Sequence, residues 1–316
     1  MITIKPFSVD MLEGVYRLCE NAIEYHYLGI DCFKHVILND PDFDAELSLV
    51  GFIDNVPVAF ICAVERKNKS VKETEADRVA ELIIFASDRR FRGRGLVGKL
   101  YENVETVLRG RGVKEIWVRS TPFFSGLDLR YKRAAVFLMR RLFTPRKVIY
   151  DQILNTTDID LSTEQEEAKF KEQGVIFKKL DWEDMPALKN MLAKHFPGWA
   201  NFVQEQGSTF QKGFSVHAAM CNGEIVAFAG RDRNNFGPLG TIESHRRHGY
   251  ASVLVKRVAR DVYADGHEEM IIRNANFMYY ARAFATPIAP VWIMAKDLTL
   301  DPAIKKAKDV KRRVSS

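Results

Sequence analysis

The chain has 316 residues, 47% hydrophobic and 28% charged, which suits two domains of roughly 150 residues each with a core apiece. Its +6 formal charge is concentrated: the last twelve residues, KKAKDVKRRVSS, hold six basic groups and one acid, leaving +1 for residues 1–304, which weakens the argument for a broad nucleic-acid-binding face. Cys19, Cys32, Cys62 and Cys221 show no paired spacing, the N-terminus has no cationic-then-apolar leader, and no run of about 20 apolar residues occurs. The expectation is therefore no disulfide framework, no metal site, no membrane partner and a cytoplasmic location.

In chain order, 48–64 (SLVGFIDNVPVAFICAV) reads as two strands around a turn at Asp54-Asn55, and 80–86 (AELIIFA) as another strand. From Leu96 on, Leu96, Val97, Leu100, Val104, Val107 and Leu108 recur at helical spacing, and Gly110 and Gly112 end that helix. VKEIWVRS (113–120) is the next strand. Asn155–Gln173 is acid-rich and polar, a linker or exposed helix, with the domain boundary near residue 165. The order then repeats. His217–Met220 and Glu224–Ala229 form a hairpin around Cys221-Asn222-Gly223, and Pro238–Ile242 is a strand. A helix carries Ala251, Leu254, Val255, Val258 and Val262, Gly266 stops it, and Glu269–Arg273 is the last strand of the repeat.

Each strand-to-helix junction holds an Arg/Gly turn: Arg92-Gly93-Arg94-Gly95-Leu96-Val97-Gly98 and Arg246-Arg247-His248-Gly249-Tyr250-Ala251. Such a turn leaves helix N-terminal amides unpaired and aimed at one point, where the helix dipole also favours an anion. A pyrophosphate fits that demand. His245 and His248 read as rim residues of the second turn. Asp128 is expected to cap a helix starting near Leu129, and Trp199 to serve in packing.

Arg/Gln-x-x-Gly-x-Gly/Ala between a strand and a helix resembles motif A of the GNAT superfamily of N-acetyltransferases. The second copy matches at every defined position. The first matches at Arg92 and Gly95 but has Val97 where Gly or Ala is usual. Phe123–Asp128 with Ala134–Phe143 resembles the end of a first domain in tandem GNAT proteins, and Tyr279-Tyr280-Ala281-Arg282-Ala283-Phe284 the Tyr-containing last helix. The resemblance implies an α/β (mixed α+β) fold of two tandem GNAT domains, each a mixed, mostly antiparallel sheet flanked by helices. Their expected bounds are 1–160 and 170–300, with a basic tail at 301–316.

The activity implied is acetyl transfer from acetyl-CoA to a primary amine by direct attack. The alternatives are a non-catalytic acyl-CoA sensor and, disfavoured by the confined basic run, a nucleic-acid-binding module. Residues implied in holding CoA are Leu239, Thr241, Arg246, Arg247, His248, Gly249, Tyr250 and Ala251 in the second copy. In the first they are Phe85, Ser87, Arg92, Gly93, Arg94, Gly95 and Gly98. The second copy is expected to be the better cradle, with Gly249→Glu abolishing binding and Val97 crowding the first. Tyr280, or Tyr279 if the register slips by one, is implied as the acid for the departing thiolate. Glu81 is either a general base acting through water or a solvated acid at a strand start.

Overall fold

The computed structural model describes residues 2–26, 28–67, 76–121, 123–199, 213–275, 277–282 and 285–300. The basic tail and Ala283-Phe284 lie outside the described residues. Contacts divide the chain into two units: Met1–Val148 with the segment from Pro290 on, and Ile149–Ala289. The division is therefore not a single cut near residue 165, because the chain returns to its first unit at the end.

Unit one holds β1 (Thr3–Pro6), α1 (Leu12–Ala22), α2 (Ile30–Leu38), β2 (Ser48–Ile53), β3 (Val56–Arg66) and β4 (Val79–Ser87). Next come α3 (Leu96–Gly110), β5 (Glu115–Val118), β6 (Leu127–Asp128) and α4 (Lys132–Arg140). After Thr144–Asn155 (β7), which crosses the border, unit two has α5 (Glu164–Glu172), β8 (Val175–Lys179), α6 (Met185–His195), β9 (Phe214–Cys221) and β10 (Glu224–Asp232). It continues with β11 (Asn235–Thr241), α7 (Tyr250–Ala264), β12 (Glu269–Ala275) and α8 (Phe277–Ala281), and β13 (Thr286–Asp297) leads the chain back.

The sheet of unit one runs β1-β2-β3-β4-β5-β13, antiparallel except for the β4/β5 pair. That of unit two runs β7-β12-β11-β10-β9-β8, antiparallel except for β11/β12. The mixed, mostly antiparallel sheet flanked by helices is thus present in each unit. Asp54 and Asn55, both at positive φ, make the hairpin turn expected from their sequence.

The apolar run of β3 is continuous because both its faces are covered. Ala59, Ile61 and Ala63 pack under α3 with Leu100, Val104 and Leu108, while Phe60, Cys62 and Val64 face α1 and α2 with Val15, Leu18 and Phe33. Unit two repeats the scheme. Ala219, Ala227 and Ala229 lie under α7, whereas Ala218 and Phe228 pack with Leu188 and Leu192 of α6. Each such buried leucine contributes roughly 1.5–3 kcal/mol.

A polar cluster fixes α7 on its sheet. Asp261 accepts from His217 Nε2 at 2.9 Å and pairs with Lys179 at 2.8 Å, while Arg257 Nε donates to His217 Nδ1 at 3.2 Å. That arrangement requires neutral His217. Burial lowers the pKa of His217. For Asp261, burial pushes up, but hydrogen bonds from His217, Lys179 and Ser215 outweigh it and hold the carboxyl well below the usual range. Both groups bind fewer protons folded than unfolded, so both make stability fall in acid. The His217 part is lost as pH drops through roughly 6.5 and the Asp261 part below roughly 4. Asp261→Asn should cost on the order of 2–3 kcal/mol at neutral pH and flatten the acid limb of a urea-midpoint-versus-pH series. An unchanged limb would reject the assignment.

Candidate functional site

The two Arg/Gly turns have the same backbone design. Gly95 (φ 74°) and Gly249 (φ 92°) are the left-handed residues that open α3 and α7, so the expected register of the two copies holds. Gly93 (φ 82°) and Arg247 (φ 66°) occupy matching left-handed positions, one of them strained because it is not glycine. The motif arginines turn back to the backbone: Arg92 Nη2 donates to Ala22 O at 2.9 Å and Arg246 Nε to Thr241 O at 3.3 Å. An anion at either turn would therefore meet amides first.

The turns differ in what stands over them. In unit one the first helical bond runs from Lys99 N–H to Gly95 O at 3.0 Å. Leu96, Val97 and Gly98 thus keep amides without an intrahelical acceptor. Nothing lies within 4 Å of where a Cβ would sit at Gly93 or Gly95. In unit two Ser252 N–H already bonds Gly249 O at 3.0 Å, leaving Tyr250 and Ala251. A Cβ at Gly249 would lie 3.5 Å from the ring of Phe170.

Phe170 belongs to α5, the segment expected to be a linker or exposed helix. It is a helix, yet it is strapped along α7 by Glu166–Lys256 (2.6 Å) and Glu167–Arg257 (2.7 Å). Phe170 stands 5.1 Å from the ring of Tyr250, which is 5% exposed and stacked on His248 at 5.5 Å.

Beside each turn two parallel strands separate. β4 pairs with β5 only from Val79 to Glu81, then runs on to Ser87. A bulge at Ile83 bends it, since Cys62 faces Ile84 and Ala63 faces Leu82. The Asp88 N–H donates to Val58 O at 2.9 Å, so by alternation the amides and carbonyls of Phe85 and Ser87 face away from β3, into the gap. In unit two β11 pairs with β12 only at Asn235 and Phe236. Its ladder shifts between Ala229 and Arg231, and Ile242 N–H bonds Val226 O at 3.0 Å. The same parity turns Leu239 and Thr241 into that gap.

In unit one the gap widens into a cavity of about 880 Å³, a size that suits a cofactor-scale ligand. It is lined by Leu82–Ser87, by Arg92, Gly93, Gly95, Val97 and Gly98 of the turn, by Arg119 and by the cavity face of α4. Val97 forms part of this wall and packs partly on the core beneath α3.

Glu81 is neither solvated nor in the cavity wall. It is 3% exposed, and its carboxylate is held by Arg66 Nε at 2.8 Å and Arg119 Nε at 2.5 Å, with Arg66 also on Asp40 at 2.8 Å. The solvated-acid reading is corrected: the strand start is covered on both faces, and two guanidinium groups replace water. Tyr280 is 8% exposed, packed against Phe236 at 5.9 Å, and burial raises its pKa. Tyr279 is 38% exposed, and burial raises it as well. Asp128 caps no helix, because α4 starts at Lys132; it accepts instead from the Arg130 N–H at 2.8 Å and pairs with that guanidinium.

Several cavity residues gave no usable signal in the sequence. Tyr131, next to α4, lines the cavity, and its hydroxyl accepts from the Tyr25 N–H at 2.9 Å and lies 3.1 Å from His26 Nδ1. Burial pushes its phenol up to about 12. Arg130 covers the Tyr25 ring at 4.6 Å. These residues meet across more than a hundred positions of chain, so no local pattern marks them.

Residues 16–124 match the family model described as Acetyltransferase (GNAT) family. That stretch of unit one is therefore similar to a GNAT-family domain, in line with the motif resemblance. No curated protein matches the chain. Among solved structures the chain is similar to a GCN5-related glucosamine N-acetyltransferase region of a fungal multi-domain GH3 β-N-acetylglucosaminidase (13% identity, TM-score 0.71). That match covers 94% of this chain but 38% of the fungal one. A tandem GNAT protein from the clavulanic acid biosynthesis pathway matches at 11% identity and TM-score 0.65, over 95% of this chain and 100% of that one. A GCN5-related N-acetyltransferase from Sphaerobacter thermophilus matches at 16% and 0.59, over 94% and 96%. At these identities the likeness is one of fold. Among the described residues no helix is long and apolar enough to cross a membrane.

Proposed function

We propose that the chain is an acyl-CoA-dependent N-acyltransferase built from two GNAT domains, with acetyl-CoA as donor and a primary amine as acceptor, and that unit one holds the donor. The observation that carries this reading is the open turn at Gly93–Gly98, set at one end of the cavity beside the unpaired edge of β4. The diphosphate would rest on the amides of Leu96, Val97 and Gly98, and the pantetheine arm would pair with Phe85 and Ser87 as an added strand. Val97 does not argue against this site, because the grip is through main-chain amides. The Phe170-covered turn makes unit two the weaker donor site, the reverse of what its better motif match suggests. The shared element order supports reading unit two as the second domain.

Direct transfer needs the amine and thioester held together, a hydrogen-bond donor at the developing oxyanion and a proton for the thiolate. In unit one we assign the proton donor's task to the hydroxyl of Tyr131, which lines the cavity; in unit two the candidates are Tyr280 and Tyr279. Calorimetry with acetyl-CoA, followed by transfer assays on a panel of amines, tests the proposal. The expected result is one donor bound per chain and turnover on at least one amine. Tyr131→Phe should lower kcat at least about 10-fold with little change in donor affinity. If Tyr280→Phe does so instead, the reaction belongs to unit two. Binding without turnover on any amine would assign the sensor role, which the engagement of Glu81 by two arginines favours. No binding at all would sink the proposal.

A further inference from the structure

We infer that Arg141, just past the end of α4, is a side-chain ligand for the diphosphate of the donor, completing from above what the turn amides begin. The inference rests on the donor site proposed in unit one and adds to it a residue outside the Arg/Gly motif. Three observations converge. A Cβ at Gly98 would lie 2.5 Å from Arg141 Nη2, so the absent side chain at the third residue of α3 is what lets this guanidinium reach the helix start. Arg141 lines the cavity, and its Nε is buried without a hydrogen-bond partner. The guanidinium carbon lies over the Phe137 ring, 4.0 Å from its centre, and 5.4 Å from that of Tyr101, which holds the charged group against α3 and α4.

Electrostatics make that placement informative. A helix start carries partial positive charge and unpaired N–H donors, so a cation there is unfavourable in the absence of an anion. Among the described residues the carboxylate set against it is Glu102 at 3.6 Å, whose side chain is 71% exposed and offers weak compensation. Burying an N–H unpaired adds a further cost. A diphosphate between the amides of Leu96–Gly98 and the Nη groups of Arg141 relieves the first of these, by planar charge-assisted bonds that lysine could not reproduce. Gly98 thereby gains a role distinct from close approach of the phosphate: it makes room for Arg141.

The test compares wild type, Arg141→Met, Arg141→Lys and Gly98→Ala by calorimetry with CoA, inorganic pyrophosphate and S-acetylpantetheine, which lacks the diphosphate. Arg141→Met keeps a long apolar stem over Phe137, and Gly98→Ala displaces the guanidinium without removing it, so the inference does not depend on one variant folding. The expected result is a loss of about 10- to 100-fold for CoA and pyrophosphate in Arg141→Met and Gly98→Ala, a smaller loss in Arg141→Lys, and unchanged affinity for S-acetylpantetheine. Equal losses for all three ligands would mark Arg141 as structural and overturn the inference. So would unchanged CoA affinity in Arg141→Met and Gly98→Ala when the wild type binds CoA, which leaves the donor reading standing. Arg141-dependent pyrophosphate binding in a protein that ignores CoA would uphold the anion site and remove the donor.

Discussion

Gly95→Glu is expected to lower acetyl-CoA affinity by at least about 100-fold while the protein stays folded. The position is left-handed at φ 74°, and its missing Cβ faces open space at the mouth of the turn. A glutamate there places a carboxylate where a diphosphate must sit, and like charges at close range cost several kcal/mol in a partly desolvated site. Some strain follows from forcing a non-glycine residue to positive φ, about 1 kcal/mol, too little to unfold the unit. Gly95→Asn separates the two effects, since Asn tolerates the backbone and adds no charge. The matched variant Gly249→Glu should change affinity less than about 3-fold, because Phe170 already stands over that turn. Calorimetry on the folded variants decides. Undiminished affinity in Gly95→Glu, with loss in Gly249→Glu, would move the donor to unit two and restore the expectation drawn from the motif alone.

The second large effect concerns Glu81. Glu81→Ala should destabilise unit one by about 3–5 kcal/mol, the usual result of removing one partner from a buried ion pair. The carboxylate is shared by Arg66 and Arg119, and its loss takes that acceptor from both guanidinium groups, with Arg66 keeping Asp40. A urea titration would show the lowered midpoint. Glu81→Gln should be milder, and once assayed at a temperature where it is folded, it should keep the shape of its kcat/KM pH profile. A general base acting through water predicts the opposite pattern: near-normal stability and a lost or displaced acidic limb, the side on which a base must be deprotonated. That outcome would return Glu81 to the chemistry and remove it from the frame.

Much of this architecture is visible in the residue string because its causes are local. Hairpin turns need residues that accept positive φ, and Asp54-Asn55 supplies them. Helices that cover a sheet need an apolar stripe, and Leu96–Leu108 and Ala251–Val262 show one. The parity that turns Phe85 and Ser87, or Leu239 and Thr241, into a gap follows from strand geometry once the strand is located. Tyr280 shows the limit of such reading. Its type and position fit a catalytic acid, yet it packs into the core of unit two against Phe236. The aromatic at the cavity of unit one, Tyr131, has no motif around it.

By itself the sequence determined the repeated order of hairpin, strand, turn, helix and strand, the glycine that opens each long helix and the resemblance to the GNAT family. Only the tertiary structure decided which turn is open, because that depends on Phe170 of α5 lying over Gly249. It also decided that Glu81 is clamped by arginines and that Arg141 rests against Gly98. Short-range periodicity and turn chemistry are written within a few residues, whereas these meetings join side chains from different elements, and nothing in the spacing of residues along a chain encodes which distant atoms will share a pocket.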